Sequence, residues 1–176
     1  MLVTGAGGSI GSELVRQLRA LHAATVVCVD RAEYGLYRLE LDATGRALLD
    51  GAALVLADVT SRPQLDRVFA EHRRQLAFHA AAVKHLPLLE RFPAEAIRVN
   101  VGGTATVARL CAEHRVWRLV NVSTDKAADP ASVLGWTKRL AEVAALGGGG
   151  NTRVASVRFG TSLTPAGPGR DLQCEP

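Results

Sequence analysis

The chain has 176 residues, which is the size of one ordinary domain and is enough to bury a substantial core. Apolar residues make up 48 % and aromatic residues 5 %, and 21 basic residues against 17 acidic ones leave a net charge of +4. The basic residues are scattered along the chain. Since they form no arginine-rich block, we expect no nucleic-acid partner.

The apolar runs and the cysteines indicate where the protein resides and whether it binds a metal. No run approaches the roughly 18 apolar residues that span a membrane, and the N-terminal residues lack the pattern of a signal peptide. Cys28, Cys111 and Cys174 form no close pair, and their spacing to histidine fits no zinc site. We therefore expect a cytoplasmic protein with reduced thiols, no metal centre and no membrane segment in this chain.

Apolar β-type runs alternate with segments of helical spacing along the chain. Strands are predicted at residues 1–3, 25–29, 53–56, 76–79, 118–122 and 154–158. Helices are predicted at residues 11–21, 34–41, 64–72, 94–112 and 135–146. This alternation predicts an α/β fold, a Rossmann-like doubly wound parallel sheet with helices on both faces. In such a fold the ligand lies beyond the carboxyl ends of the strands.

The first predicted strand runs directly into a glycine-rich turn that opens the first helix. Gly5 allows a tight turn, Gly8 allows backbone N–H groups to approach a pyrophosphate, and Gly11 allows the helix to pack closely on the strand. The helix N-terminus adds unpaired donors and a partial positive charge. A strand, turn and helix in this order predict a dinucleotide-phosphate site; the alternative is a plain glycine turn.

An acidic residue, Asp30, ends the second apolar run about 20 residues past the glycines. Its carboxylate is placed to bind ribose hydroxyls and would repel a 2′-phosphate, which favours NAD as the cofactor. Arg31 follows immediately and would instead pair with that phosphate, so NADP remains an alternative. The structural alternative for Asp30 is a cap of the next segment.

Polar side chains also follow the third and fourth predicted strands. Asp58 is placed to accept a hydrogen bond from an adenine amino group, and the alternative is an ordinary loop aspartate. Three alanines at residues 80–82 let backbone approach a cofactor closely, and Lys84 and His85 bring charge and donors to the mouth of the cleft. Taken alone, this run fits the start of a helix equally well.

The fifth predicted strand ends in Ser123-Thr124-Asp125-Lys126. An acid and a base side by side at a strand end are unusual as structure alone, and the plain alternative is a surface ion pair of little energetic worth. Lys138 opens the last predicted helix, within reach of a nicotinamide ribose.

Four segments carry a resemblance to a known family: VTGAGGSIGSEL, HAAAVKHLPLLERFPAEAIRVNVGGT, VSTDKAADPASVLGWTKRLAE and VRFG. Together they resemble the extended short-chain dehydrogenase/reductase superfamily. More narrowly, they resemble its polysaccharide-biosynthesis nucleotide-sugar dehydratases, of the UDP-N-acetylglucosamine 4,6-dehydratase type. The two middle segments are far more specific than a glycine motif, and the resemblance runs almost continuously from Met1 to Gly160.

The resemblance implies a reaction on a UDP-sugar. The 4-hydroxyl is oxidised by hydride transfer to NAD(P), a base removes the 5-proton, an acid protonates the departing 6-hydroxyl, and the hydride returns to carbon 6. Carried onto this sequence, Thr124 bonds the 4-hydroxyl, Asp125 is the acid and Lys126 is the base. Lys138 holds the ribose, and its positive field helps to keep a lysine base neutral.

The resemblance also assigns the binding residues. Lys84 and His85 are candidates on the substrate side, and Asn100 is expected to order backbone between neighbouring strands. The cofactor-binding set is Gly5, Gly8, Ser9, Ile10, Gly11, Asp30, Arg31, Asp58, Val59, Ala80, Ala81, Ala82 and Lys138.

Many relatives in the superfamily carry a tyrosine four residues before the helix lysine, where this chain has Leu134. Leucine neither donates nor accepts a proton. This argues against a 4-epimerase or a tyrosine-dependent reductase, and it leaves Lys138, Asp125 or a water to take the 4-hydroxyl proton. An apolar residue is compatible with the dehydratase branch, in which methionine is frequent at this position.

The resemblance ends at Gly160, which predicts an NAD(P)-binding Rossmann domain over residues 1–160 and an irregular or disordered tail over residues 161–176. We expect the family's substrate domain to be missing from this chain, which would expose apolar surface and favour a homo-oligomer. The expected function is a nucleotide-sugar dehydratase of capsule, O-antigen or glycan synthesis. The alternatives are a truncated, inactive cofactor-binding domain and an NAD-dependent sugar epimerase.

Overall fold

The computed structural model describes residues 1–23, 25–45, 53–72 and 75–160, so the predicted tail at 161–176 lies outside the described residues. Within these ranges, six strands form one parallel sheet in the order β3-β2-β1-β4-β5-β6. The Rossmann-like doubly wound sheet is confirmed, and each strand lies within two residues of its predicted bounds. The strands are β1 (Leu2–Thr4), β2 (Val27–Asp30), β3 (Ala53–Leu56), β4 (Leu76–His79), β5 (Arg118–Thr124) and β6 (Arg153–Phe159).

The helices connect these strands. Those described are α1 (Ser9–Ala20), α2 (Glu33–Thr44), α3 (Arg62–His72), α4 (Leu86–Arg91), α5 (Pro93–Ala96), α6 (Thr104–Glu113) and α7 (Val133–Gly148). A π-helical segment, Ile97–Gly103, joins α5 to α6, and a short 3-10 turn, Asp125–Ala127, follows β5.

The core lies on both faces of the sheet, because successive residues of a strand point to opposite faces. Val3 of β1 packs with Val15 of α1 on one face. Leu2, its neighbour, packs with Phe69 of α3 on the other face. Burial on both faces explains why the strands appear in the sequence as continuous apolar runs.

The prediction of a single helix over residues 94–112 is wrong in detail. The structure has α5, the π-helical segment and α6 in this region, and it adds α4, which the sequence pattern does not predict. Pro87 and Pro93 each lie in the first turn of their helix, where a missing N–H is tolerated. Phe92, between the two helices, has a φ of −129° and a ψ of 59°, outside the helical region that the residue before a proline avoids.

The last strand is covered unequally on its two faces. Val154 packs against the core that α3 and α6 share. Val157 and Phe159, on the opposite face, are 42 % and 45 % exposed. These two side chains form exposed apolar surface, which the sequence analysis expects. The homo-oligomer that such surface would favour stays a prediction.

A buried histidine, His79, closes β4 and is 2 % exposed. Its Nδ1 lies 2.7 Å from Thr4 Oγ1, and its Nε2 lies 3.0 Å from Thr104 Oγ1. Thr104 Oγ1 donates to the carbonyl of Asn100, so it is placed to accept from Nε2–H. In a neutral imidazole, Nδ1 then accepts from the hydroxyl of Thr4. Burial lowers the pKa of His79 to about 3, and the charge of Lys138 adds to this effect.

Acid is expected to destabilise the chain through His79. Its pKa falls from an ordinary 6.5 to about 3 on folding, so between these values the unfolded chain binds more protons and stability rises with pH. The free energy of unfolding should fall by up to about 1.4 kcal/mol per pH unit below 6.5 through this group. Urea unfolding between pH 7 and pH 4 should show that His79→Gln removes this part of the slope.

The matched control is His85→Gln, since His85 is exposed in the loop after β4. This variant should keep the pH slope of the unmodified chain. A slope that His79→Gln leaves unchanged would contradict a buried neutral imidazole.

Candidate functional site

Two adjoining pockets open along the carboxyl edge of the sheet. The β1–β2 pocket, with a volume of about 210 Å³, is lined by Asp30 and Val59 among others. The β4–β5 pocket, with a volume of about 440 Å³, is lined by Thr124 and Lys138 among others. Gly8 and two alanines of the loop after β4 line both pockets. The two pockets therefore form one continuous site, termed here the carboxyl-edge cleft.

The cleft brings together most of the predicted site residues, whereas Asp58, His85 and Asp125 line neither of its pockets. The predicted residues along the β1–β2 pocket are Gly5, Gly8, Asp30, Arg31, Val59, Ala80, Ala81 and Ala82. Those along the β4–β5 pocket are Gly8, Ser9, Ile10, Gly11, Ala80, Ala82, Lys84, Thr124, Lys126 and Lys138.

The glycine-rich turn between β1 and α1 is held by very close backbone contacts. Gly5 has a φ of +70°, and a Cβ added there would lie 2.5 Å from the backbone nitrogen of Ala81. A Cβ at Gly11 would lie 1.9 Å from the carbonyl oxygen of Gly5. No side chain fits at either position, so the turn, the first turn of α1 and the loop after β4 meet as bare backbone.

The N-terminus of α1 faces the cleft. Ser9, Ile10 and Gly11 form its first turn, where backbone N–H groups have no preceding helical carbonyl to bond. This turn contains no acidic residue, and Gly8, Ser9 and Ile10 are exposed. Together with the partial positive charge of a helix N-terminus, these donors fit the pyrophosphate of a dinucleotide.

Asp30 closes the opposite end of the β1–β2 pocket. Its Oδ2 accepts a hydrogen bond from the backbone N–H of Gly7 at 2.9 Å, and its Oδ1 accepts one from Ala32 at 2.9 Å. Each carboxylate oxygen keeps further lone-pair capacity. Asp30 therefore holds the glycine-rich turn and still presents acceptors to a ribose at the cleft.

Asp58 and Val59 follow β3, and the structure separates them. Val59 is buried and lines the β1–β2 pocket. Asp58 instead accepts hydrogen bonds from the backbone N–H and the hydroxyl of Thr60. Partial burial opposes its ionisation. The bonds from Thr60 and the charges of Arg31 and Arg98 nevertheless hold the pKa of Asp58 below its usual value.

The loop after β4 is fixed by Asn100, which is 1 % exposed in the π-helical segment. Its Oδ1 accepts from the backbone N–H of Val83 at 2.9 Å. Its Nδ2 donates to the carbonyl of Val83 and to the hydroxyl of Thr137. One buried amide thus ties this loop to α7. Asn100 orders backbone as predicted, but in the loop after β4 and not between neighbouring strands.

The segment after β5 presents two of its three predicted catalytic side chains to the cleft. Thr124 and Lys126 line the β4–β5 pocket. The carboxylate of Asp125 turns back on its own turn, where Oδ1 accepts from Thr124 Oγ1 at 2.9 Å and from the Lys126 N–H at 2.8 Å. Lys126 Nζ lies 3.8 Å from the same oxygen, and both side chains are about half exposed.

Lys138 lines the same pocket and is largely buried. Its Nζ donates to the carbonyl of Val122 at 2.6 Å, and the residue is 8 % exposed. Burial lowers the pKa of Lys138 to about 8, against the opposing charge of Glu142. Leu134, one turn earlier in α7, also lines the pocket and packs with Leu89 and Ala96.

A buried charged group that the sequence pattern does not predict supports this end of the cleft. Glu142 of α7 accepts a hydrogen bond from Ser123 Oγ at 2.6 Å and two from Arg158 of β6, at 2.8 Å and 2.7 Å. The bonds from Arg158 outweigh the effect of burial, and the pKa of Glu142 lies below its usual value. Ser123 lies 19 positions before Glu142, and Arg158 lies 16 positions after it, so no local sequence motif marks the three residues.

The structure places the two substrate-side candidates in different positions relative to the cleft. Lys84 lines the β4–β5 pocket, whereas His85 lies outside the cleft. Both residues line a further, mainly apolar pocket of about 510 Å³ that is also formed by Leu88 of α4 and by Phe92, which follows α4. Leu88 and Phe92 are 53 % and 55 % exposed.

Comparison with known proteins decides the family. A family model described as polysaccharide biosynthesis protein matches residues 1–168. The chain belongs to this family. It is 39 % identical over 172 residues to the capsular polysaccharide biosynthesis protein CapD of Staphylococcus aureus, a match that covers 95 % of the chain and 28 % of CapD. It is 29 % identical over 173 residues to the inverting UDP-N-acetylglucosamine 4,6-dehydratase of Campylobacter jejuni, which covers 95 % of the chain and 50 % of that enzyme.

A solved structure of MoeE5 in complex with UDP-glucose and NAD is similar to this chain, with a TM-score of 0.70 and 32 % identity. The match covers 90 % of the chain and 53 % of MoeE5. The family member described here thus spans 28 % to 50 % of the length of the two curated relatives.

Among the described residues, no helix is long and apolar enough to cross a membrane. The same part of the chain contains no group of three or more His, Cys, Asp or Glu side chains placed to hold a metal ion.

Removing the amide of Asn100 is expected to loosen the loop after β4. Asn100→Ala leaves the N–H and carbonyl of Val83 without their side-chain bonds, so the free energy of unfolding should fall by about 2 kcal/mol. Urea unfolding measures this loss. Arg109→Gln, at an exposed position of α6, is the control and should change stability by less than about 0.5 kcal/mol. Equal stability of the two variants would show that the loop is held without Asn100.

Proposed function

We propose that this chain is the NAD-binding part, over residues 1–160, of a nucleotide-sugar 4,6-dehydratase of the UDP-N-acetylglucosamine type. One observation carries the proposal. Thr124, Lys126 and Lys138 line the same pocket as the first turn of α1, so side chains suited to acid–base chemistry adjoin backbone suited to a dinucleotide. Synthesis of capsule, O-antigen or another surface glycan in the cytoplasm is the biological role that we propose with it.

The residues around the carboxyl-edge cleft fit NAD. Ser9, Ile10 and Gly11 would bond the pyrophosphate through backbone N–H groups, and Asp30 would accept from ribose hydroxyls. Val59 would border the adenine, with Asp58 one residue away. When bound, NAD supplies the acceptor and donor of the hydride at the sugar carbons.

The acid–base roles follow from the side chains after β5. Thr124 Oγ1 lies at the pocket wall, where it would hydrogen-bond the 4-hydroxyl of the sugar. Lys126 would remove the 5-proton, for which its amine must be neutral. Asp125, in its protonated form, would donate a proton to the departing 6-hydroxyl after its side chain turns from its own backbone toward the pocket. The base would return a proton to carbon 5 once the hydride reaches carbon 6. Lys84 and His85 would border the sugar nucleotide from the side of α4.

Leu134 is unable to accept the proton of the 4-hydroxyl, so another group must accept it. We assign this role to Lys138. This lysine lies one turn along α7 in the same pocket, and its pKa of about 8 gives a substantial neutral fraction near that pH. Asp125 is the less suitable acceptor, since it lines neither pocket of the cleft and bonds its own turn.

A mass and deuterium measurement tests this function. The chain, and residues 1–160 fused to the C-terminal half of the Campylobacter jejuni relative, are incubated with NAD and UDP-N-acetylglucosamine in deuterated water. We expect the fusion to form a product that has lost one water and carries deuterium at carbon 5, because the base exchanges that proton with solvent. Lys126→Met should lower the rate by about a hundredfold or more and leave NAD affinity unchanged.

The matched control is Lys84→Met, which removes a lysine from the same pocket without touching the proposed base. It should raise KM more than it lowers kcat. A product of unchanged mass would point to an epimerase. A fusion that binds both ligands and forms no product would contradict the dehydratase.

A further inference from the structure

Four charged side chains from four separate elements meet beside the β1–β2 pocket. Arg31 follows β2, Asp58 follows β3, Glu95 belongs to α5, and Arg98 belongs to the π-helical segment. Arg31 Nη1 lies 3.7 Å from Asp58 Oδ2 and 3.8 Å from Glu95 Oε1. Arg98 holds Glu95 through two hydrogen bonds of 2.8 Å and lies 4.0 Å from Asp58.

Arg31 is the member of this cluster that matters to a cofactor. It lines the β1–β2 pocket next to Asp30, whereas Asp58, Glu95 and Arg98 are absent from the lining of that pocket, and Glu95 lines the apolar pocket beside α4. A guanidinium at this position is the group that would pair with a 2′-phosphate on the adenosine ribose. Here two carboxylates already face it.

The net charge of the side chains around this pocket also disfavours binding of a 2′-phosphate. Arg31 and Arg98 contribute two positive charges, and Asp30, Asp58 and Glu95 contribute three negative ones, which leaves a sum of −1. A 2′-phosphate would add nearly two further negative charges next to this group. A ribose 2′-hydroxyl adds none and is able to donate a hydrogen bond to Asp30.

We infer that Asp58 and Glu95 engage the guanidinium of Arg31 at the wall of this pocket, so that it does not pair with a 2′-phosphate, and thereby set a preference for NAD over NADP. Glu95 is the specificity-determining residue that the nucleotide-binding motif does not contain. This inference rests on the proposed function, since it requires a dinucleotide in the cleft.

The expected effect is moderate because the pairs are partly solvated. The side chains of Arg31, Glu95 and Arg98 are 48 %, 42 % and 47 % exposed, and exposed pairs separated by nearly 4 Å interact weakly. Removing one carboxylate should therefore change the affinity for NADP by about three- to tenfold, while the affinity for NAD stays within about twofold.

Calorimetric titration of the full chain with NAD and with NADP tests the inference. The unmodified chain should bind NAD more tightly than NADP. In Glu95→Gln, Arg98 loses its main partner and turns to Asp58, so Arg31 is released and the affinity for NADP should rise about three- to tenfold. The double variant Glu95→Gln with Arg31→Gln should lose this gain, which would show that it acts through Arg31.

The matched control is Glu113→Gln. Glu113 is a carboxylate of similar exposure, paired with Arg62 between α6 and α3, so its removal changes the net charge equally but away from the pocket. An affinity ratio that changes no more in Glu95→Gln than in this control would overturn the inference and leave the proposed function intact. A correctly folded chain that binds neither nucleotide would overturn both.

Discussion

The close approach of three backbone segments at Gly5 and Gly11 is the constraint on which the cleft depends. At Gly5 and Gly11, three backbone segments approach so closely that an added Cβ would overlap a main-chain atom at 2.5 Å or 1.9 Å. This contact places the N-terminus of α1 at the carboxyl edge of β1 and against the loop after β4. The N–H groups of the first turn of α1, the alanine-lined wall and the start of the β4–β5 pocket all take their positions from it.

Buried polar groups then fix the segments that surround this contact. His79 bonds Thr4 and Thr104, so it joins β1 and β4 to α6. Asn100 holds the loop after β4, and Glu142 joins the end of β5 to β6. Each group is hydrogen-bonded to backbone or to a complementary side chain on another element. Buried polar groups that are satisfied in this way rigidify the segments that they join.

The sequence predicts the sheet and the glycine-rich turn well, because both depend on local signals. A buried parallel strand is a short apolar run, and the turn at Gly5 requires glycine whatever surrounds it. The prediction of a single helix over residues 94–112 is wrong because helical periodicity does not distinguish an α-helix from one with a π-helical segment. The π-helical segment contains Asn100, whose bond to Val83 lies outside this helical region.

Contacts between distant segments set the limit of sequence-based prediction for the site. Glu95 and Arg98 reach Arg31 and Asp58 across more than 35 positions of the chain. The position of Asp125 beside Thr124 and Lys126 is evident from the sequence. The direction of its carboxylate is not, because it depends on which nearby N–H groups the turn leaves available.

Backbone hydrogen–deuterium exchange with and without NAD tests the central claim, that a dinucleotide lies along the carboxyl-edge cleft. Binding should protect the amides of Ser9, Ile10 and Gly11 most strongly, since these N–H groups would become donors to the pyrophosphate. Weaker protection should follow in residues 30–32, 80–83 and 122–126. Protection confined to the opposite edge of the sheet, at residues 114–118, would contradict the account, as would saturating NAD that protects none of these amides.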